Sequence, residues 1–390
     1  MNRPWVLWAM WLGILMSASG VMHWYFWRRF LKDTDIPAGW ARWGGWIFSV
    51  FTFLIPCSFF LRRHLLEPVD SIMYLGLISW LAILFFLICL RCLAGLIPFG
   101  LSLHSVLWRK KPYDPARRKF LSRALAAGTL TVGGIGVLRG TLNAFEDPEI
   151  NEVTVKLDRL PPRAHGLSIV QITDVHAAPW TSENFIRRLV ERTNALKPDI
   201  IAITGDLVDA DVAQIGQKVS VLGKLSARYG VFFVTGNHEY YVGTDEWLAM
   251  LEKLGMKILT NSGVALENSI YLAGIPDRTV RRVDPTGRRD FPDIARALAS
   301  RPADLPVVLL AHQPRDIDLS SSAGVDLQLS GHTHGGQIWP FGALVMASQP
   351  YLSGLHRHGP TQIYVSRGAG TWGPPIRIGA PAELTKIVLV

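Results

Sequence analysis

Apolar positions follow two different patterns along the chain. In the first hundred residues they form long unbroken runs: 5–22 (WVLWAMWLGILMSASGVM), 43–61 (WGGWIFSVFTFLIPCSFFL) and 71–90 (SIMYLGLISWLAILFFLICL), the last extending past Arg91 to about 107. A helix of the shortest run rises about 27 Å at 1.5 Å per residue, enough to cross a bilayer core. A buried helix of a soluble domain keeps a polar stripe. These runs keep none, so three membrane-spanning helices are predicted. A fourth candidate, 124–138 (ALAAGTLTVGGIGVL), is uncharged but short and holds four Gly, and its alternative is a Gly-rich linker. Beyond residue 150 the runs shorten and become β-branched, and each ends in a polar motif. Ile169 to Ile172 leads to Thr173-Asp174-Val175-His176, and Ile200 to Ile203 to Thr204-Gly205-Asp206. Val231 to Val234 leads to Thr235-Gly236-Asn237-His238-Glu239, Val307 to Leu310 to Ala311-His312, and Val325 to Leu329 to Ser330-Gly331-His332-Thr333-His334. Continuous apolar runs of this length predict strands buried on both faces. Helical stretches between them at 182–196, with Ser182 as N-cap, and at 244–254 predict an α/β domain. Two regions follow: 1–140, an anchor of three to four helices with a basic loop at 109–123, and 141–390, a domain of strands and polar strand ends.

Charge separates the same two regions. The chain carries 40 Lys and Arg against 31 Asp and Glu, a formal +9. Residues 1–140 hold 16 basic and 5 acidic residues, whereas 141–390 hold 24 basic and 26 acidic. The second region is nearly neutral, which argues against a phosphate-tracking surface, and no nucleic-acid partner is expected. Ten of 14 Trp and all three Cys lie in the first region, with Trp24, Trp27, Trp40, Trp43 and Trp108 at run ends where interfacial aromatics belong. Arg28, Arg29, Lys32 and Arg42, and the loop bearing Arg109, Lys110, Lys111, Arg117, Arg118, Lys119 and Arg123, fall on one side. Arg3, Arg62, Arg63 and Arg139 fall on the other. The positive-inside rule then makes the heavier side cytoplasmic. If 124–138 spans, everything after Arg139 is extracytoplasmic. Paired Arg117 and Arg118, followed by Phe120 and Leu121 and a mildly apolar stretch, resemble a twin-arginine export signal placed behind three spans. Cys89 and Cys92 are read as apolar fillers, and the Cys-free second region suits an oxidising compartment.

The strand-end motifs carry the chemistry. Asp174, His176, Asp206, Asn237, His312, His332 and His334 offer carboxylate, amide and imidazole donors, a mixed O/N set suited to Mn, Fe or Zn, with Mg a further option. In open α/β sheets ligands bind outside the carboxyl ends of strands, so five such motifs can meet in one crevice. Seven donors exceed what one catalytic metal uses. They suit two divalent ions about 3.5–4 Å apart that clamp both oxygens of a phosphoryl displacement. Gly205, Gly236 and Gly331 are expected to let the backbone turn at the strand ends.

D-x-H (Asp174, His176), G-D (Asp206), G-N-H-E (Gly236 to Glu239), a His after a strand (His312) and G-H-T-H (Gly331 to His334) resemble the calcineurin-like metallophosphoesterase superfamily. The string G-H-T-H-G-G-Q and the tail S-R-G-x-G-T-x-G-P-P-I-R (Ser366 to Arg377) are similar to its bacterial, membrane-linked branch. The resemblance implies a fold of two sheets flanked by helices with a dinuclear site at the strand ends. It implies that Asp174, His176 and His334 bind one metal and Asn237, His312 and His332 the other, with Asp206 bridging. His238 would be catalytic, as acid toward the leaving oxygen or as a stabiliser of phosphate charge, while a water activated on the metals attacks phosphorus. One departure stands out: the family often continues G-D-x-x-D-R, whereas here Asp209 precedes Ala210, which leaves the inner support of the Asp206 loop open.

The substrate is less defined. Arg281 and Arg282, in an Arg-rich stretch 277–291, and His356 and His358 are candidate substrate-binding residues. The alternative for the Arg-rich stretch is a solvated insertion balanced by Asp277, Asp284 and Asp290. The expected protein is a membrane-anchored phosphoesterase acting on phosphodiester or pyrophosphate bonds of a lipid-linked or other envelope substrate. It is expected as a multi-pass protein of a bacterial inner membrane with its catalytic domain on the extracytoplasmic face. The alternatives are a nuclease or nucleotide phosphodiesterase on the same scaffold, and a membrane sensor with a vestigial esterase domain.

Overall fold

A computed structural model describes residues 4–61, 65–107, 114–267, 269–284 and 286–390. Arg3, Arg62, Arg63, Trp108, Arg109, Lys110 and Lys111, which enter the charge and interface readings, lie outside the described residues. The chain divides into two compact units, Met1–Thr141 with Gly373–Ile376, and Leu142–Trp372 with Arg377–Val390.

The first unit is helical: α1 (Pro4–Phe26), α2 (Ala38–Leu61), α3 (Val69–Leu107) and α4 (Pro115–Phe145). Among the described residues two stretches are long and apolar enough to cross a membrane, Val69–Leu96 and Ala116–Phe145. The fourth candidate is thus a candidate span alongside the third run, and the first two runs are helices as expected, α1 and α2. The stretch 124–138 is helical, so the linker alternative is wrong. Two of its four glycines serve packing: a Cβ would lie 2.2 Å from Leu87 Cδ2 at Gly133 and 3.0 Å from Phe86 Cε1 at Gly136, both on α3. His23 ties α1 to α3, its Nε2 accepting from Trp80 Nε1 at 2.9 Å while its Nδ1 lies 2.8 Å from the Ser19 carbonyl. Cys89 and Cys92 are unbridged, and the Cys92 thiol lies 3.3 Å from the Tyr25 hydroxyl. Outward-facing Trp11, Ile14, Ile72, Val132 and Ile135 are each more than half exposed, an apolar surface unlike that of a water-soluble bundle.

The second unit is α/β. In chain order it runs β1 (Glu149–Val155), β2 (Ser168–Ile172), α5 (Glu183–Ala195), β3 (Ile200–Ile203), α6 (Val212–Val219), β4 (Val231–Phe233), α7 (Thr244–Lys253) and β5 (Lys257–Ile258). It continues with β6 (Ser262–Leu266), β7 (Ile270–Gly274), α8 (Val280–Val283), β8 (Val307–Leu310), β9 (Leu327–Ser330), β10 (Gly354–His358), β11 (Thr361–Val365) and β12 (Glu383–Leu389). One six-stranded sheet has the order β1-β12-β2-β3-β4-β5 and the other β10-β11-β9-β8-β7-β6. Strands β2 to β5 are parallel neighbours, as are β11, β9, β8 and β7. Ser182 caps α5, its hydroxyl accepting from the Phe185 amide at 3.2 Å.

Strand alternation builds the layers. Ile201 and Ile203 of β3 join a cluster with Ile186, Leu189 and Trp247 of the covering helices. Ile200 and Ala202 on the other face join a second cluster with Leu310, Leu327 and Leu329 of the second sheet. Val307 and Leu309 turn away from that layer into a third. Burying each such side chain contributes about 1.5–3 kcal/mol. The doubly buried strands leave polar groups only at their ends, which is where the candidate donors stand. Phe232, fully buried between the sheets, is a direct probe of this layer. Phe232→Ala is expected to destabilise the second unit by about 3–5 kcal/mol, measured by denaturant unfolding of the full chain in detergent.

Candidate metal centre

The carboxyl ends of β2, β3 and β4 in one sheet and of β8 and β9 in the other bring seven predicted donors into one cluster. The donor atoms of Asp174, His176 and His334 all lie within 4.8 Å of one another, as do those of Asp206, His312 and His332. A third triplet joins His176, Asp206 and His238. Asn237 Oδ1 lies 3.2 Å from His312 Nε2, beside the second triplet.

Hydrogen bonding at the far side of each ring shows what the near side offers. His312 Nδ1 lies 2.8 Å from the Thr204 carbonyl and must donate to it, which leaves Nε2 with a lone pair in the neutral ring. That atom faces Asp206 Oδ2 at 3.2 Å, Asn237 Oδ1 at 3.2 Å and His332 Nδ1 at 3.2 Å. His176 repeats the pattern: Nδ1 donates to Asp209 Oδ1 at 2.7 Å, and Nε2 faces His334 Nε2 at 3.0 Å and Asp206 Oδ2 at 3.7 Å. Asp206 Oδ2 faces an imidazole of each cluster, and electron-pair donors gathered in this way call for positive charge, which divalent cations would supply with the right chemistry. The residues therefore fit a metal centre.

The electrostatics say the same. Burial works against ionisation of Asp206, yet His312, His238 and His176 around it hold its carboxyl well below the usual range. For Asp174 burial prevails and its carboxyl moves up. Burial would lower His238, but the carboxylates of Asp206 and Asp209 raise it to about 9. His332 is pushed down to about 3 by burial and by the neighbouring His312. Backbone amides add to the cradle: His332 N donates to both Asp174 oxygens at 3.0 Å, and His238 N donates to Asp206 Oδ1 at 2.8 Å.

Three supporting residues stand outside the predicted donor set. Asp209 Oδ1 accepts from His176 Nδ1 and lies 2.7 Å from His238 Nδ1, so one carboxylate orients a candidate ligand and the candidate acid together. The fully buried Glu239 accepts from the amides of Asp206, Leu207 and Gly236 at 3.1, 2.7 and 2.6 Å. It supplies the inner support of the Asp206 loop that Ala210, in place of Arg, had left open. Arg377, fully buried, donates to the carbonyls of Ala380 and Arg367 at 2.9 Å and to Gly370, and reaches His334 Nδ1 at 3.3 Å. Glu239 and Arg377 both stand inside the recognisable motifs, and the sequence signal for each was only a motif letter without a partner.

The backbone is held in sparsely populated conformations at the same places. Asp174, His176, Asp206, His332 and His334 all have φ between 48° and 71°, a region that L-residues adopt only under constraint. Gly205 turns at φ 89°, as expected. Gly331 is there for space, since a Cβ would lie 2.1 Å from Asp174 Oδ2 and 2.3 Å from Thr173 Oγ1.

The candidate substrate residues are placed apart from the seven donors. Arg282, on α8, donates through Nη2 to the Tyr241 hydroxyl at 2.9 Å, and the Tyr241 ring stands 5.4 Å from that of His238. Arg281 lies over the Phe291 ring at 5.2 Å. His356 and His358, on β10, bond Ser353 O and Asp318 and flank Tyr351. The acidic balance of the Arg-rich stretch is partial: Asp290 pairs with Arg296, whereas Asp277 and Asp284 mainly hold local backbone and side-chain groups.

A two-sheet α/β unit with buried His–Asp triplets at the strand ends defines a metallophosphoesterase. The profile of the calcineurin-like phosphoesterase family matches residues 167–336. An uncharacterized metallophosphoesterase of Helicobacter pylori is 40% identical over 75% of this chain and 78% of its own. A transmembrane protein with metallophosphoesterase domain from Danio rerio is 33% identical over 85% of this chain and 76% of its own, and one from Bos taurus is 32% identical over 88% and 80%. The chain belongs to the calcineurin-like phosphoesterase family.

Gly331→Ala tests the centre. It is expected to weaken binding of Mn by about 10–100-fold, the usual scale for disturbing the shell around metal ligands, with the unfolding transition retained. Calorimetric titration of the purified chain with Mn measures it.

Proposed function

We propose that the chain is a membrane-anchored, metal-dependent phosphoesterase that hydrolyses phosphodiester or pyrophosphate bonds of a lipid-linked or other envelope substrate. The observation that carries this reading is the set of linked His and Asp donor triplets, two of which contain Asp206 and one of which contains His238. Asp174, His176 and His334 would hold one divalent ion, and Asn237, His312 and His332 the other, with Asp206 shared. Mn, Fe or Zn suits this O/N set. Divalent ions there supply Lewis-acid neutralisation of phosphoryl charge and make water more acidic. The rest falls to the chain. Asp209 fixes the His238 ring, and the partial exposure of that ring lets it meet a substrate. As a water oxygen bonds to phosphorus and the P–O bond to the leaving group breaks, His238 donates a proton to the departing oxygen.

Two stretches long and apolar enough to span, the exposed apolar helix faces and the family's transmembrane relatives support anchoring. With α1 to α4 all spanning, Arg28, Arg29, Lys32, Arg42, Arg117, Arg118 and Lys119 share one side and favour the cytoplasm, which supports a phosphoesterase unit on the extracytoplasmic face of an inner membrane. A nucleic acid is not the expected substrate, given the near-neutral composition of residues 141–390.

With Mn, the full chain in detergent is expected to hydrolyse a chromogenic phosphodiester. Asp206→Ala should abolish both turnover and bound metal, whereas His238→Ala should keep the metal and lower kcat by about 10²–10⁴. Activity that survives both substitutions overturns the assignment. Alkaline phosphatase fused after Arg139 should be active. A fluorescent cytoplasmic reporter at the same point would place the domain on the other side.

A further inference from the structure

We infer that Tyr241 and Arg282 form a specificity arm that grips a second phosphoryl group, so that the site prefers pyrophosphate-linked substrates to simple phosphodiesters. The inference rests on the phosphoesterase reading above and narrows it. Tyr241 closes the single helical turn that follows His238, is half exposed, and presents its ring at 65° to the imidazole with centroids 5.4 Å apart. With Asp209 it lines a cavity of about 540 Å³. A group that extends from the phosphorus past His238 therefore meets the Tyr241 side chain.

Arg282 is distinguished by its bond to Tyr241. In the same region Arg278 faces Asp316, Arg289 faces Asp245 and Arg296 faces Asp290. Arg281 covers the Phe291 ring. Among the described residues Arg282 has no carboxylate partner, and its recorded bond is to the Tyr241 hydroxyl at 2.9 Å. Because that hydroxyl accepts from the guanidinium, its own proton is free to donate outward. The remaining guanidinium N–H groups can only donate. The pair thus presents donors and one uncompensated positive charge, with the planar fork that matches a phosphoryl group. The carboxylates on the cavity are otherwise engaged at Asp209, held by two imidazoles, and at Asp211, which caps α6. Glu246 is the remaining carboxylate there, and it is the counter-test.

The experiment compares two substrates with one nitrophenyl leaving group, a phosphodiester and a pyrophosphate diester, on the Mn-loaded full chain. Arg282→Gln is expected to raise KM for the pyrophosphate about 10–100-fold, the scale of a charged hydrogen bond, and that for the diester far less. Tyr241→Phe should give a smaller rise on the pyrophosphate, and Arg282→Lys should recover only part of the loss. An equal rise on both substrates, no rise on either, or a preference that depends on Glu246→Gln and not on Arg282→Gln overturns the arm. If the unaltered chain turns over neither substrate, the phosphoesterase reading fails. The arm is then decided by calorimetric binding of dimethyl pyrophosphate against dimethyl phosphate: tighter pyrophosphate binding lost in Arg282→Gln supports it, and equal binding overturns it.

Discussion

Two carboxylates, Asp174 and Asp206, are buried at the ends of neighbouring parallel strands with imidazole lone pairs aimed between them. Charge of one sign in a low-dielectric interior is costly unless something of the other sign stands within a few ångströms. Much of the second unit is organised around that demand. The donors come from both sheets, so a cation that satisfies them also links the sheets at their carboxyl ends. The protein's own donors meet part of the demand, through the His332 and His238 amides, and divalent ions of the kind the family fold implies would meet the remainder.

Holding this arrangement requires a frame that resists collapse. Glu239 fixes three amides of the loops after β3 and β4, and Arg377 fixes a set of carbonyls beside His334. Each is a buried polar group whose burial cost is met by several hydrogen bonds rather than by one opposite charge. The left-handed backbone at five of the donors is tolerable because the strands on either side leave it little choice. A strained loop of this kind is poorly able to rearrange, and preorganised donors are what a metal centre would need.

Much of this was legible in the sequence because polar motifs that end β-branched runs are local signals. The donors, the strands and the position of His238 could be read from Asp174, Asp206, Asn237 and the His332–His334 pair as they stand. What the sequence hid were relations between distant segments. That Asp209 serves two imidazoles, or that Arg377 packs beneath His334, depends on loops that meet only in the folded chain. The helical unit was less legible for a different reason. Weighing length and composition undervalued the Gly-bearing run of α4, where the missing side chains of Gly133 and Gly136 leave room for α3. Tyr241 carried no sequence signal at all, being one exposed aromatic among many.

Strand β12 lies between β1 and β2, so residues 383–389 sit in the interior of a sheet that begins at residue 149. The first sheet cannot close until nearly all of the second unit has left the ribosome. Pairings of that sequence separation fold more slowly than local contacts do. Until β12 docks, β2 lacks its neighbour on that side and offers a bare, apolar edge of the sort that recruits other chains. The unit therefore depends on whatever guards nascent strands, and losing the residues of β12 should be as damaging as losing a piece of the core.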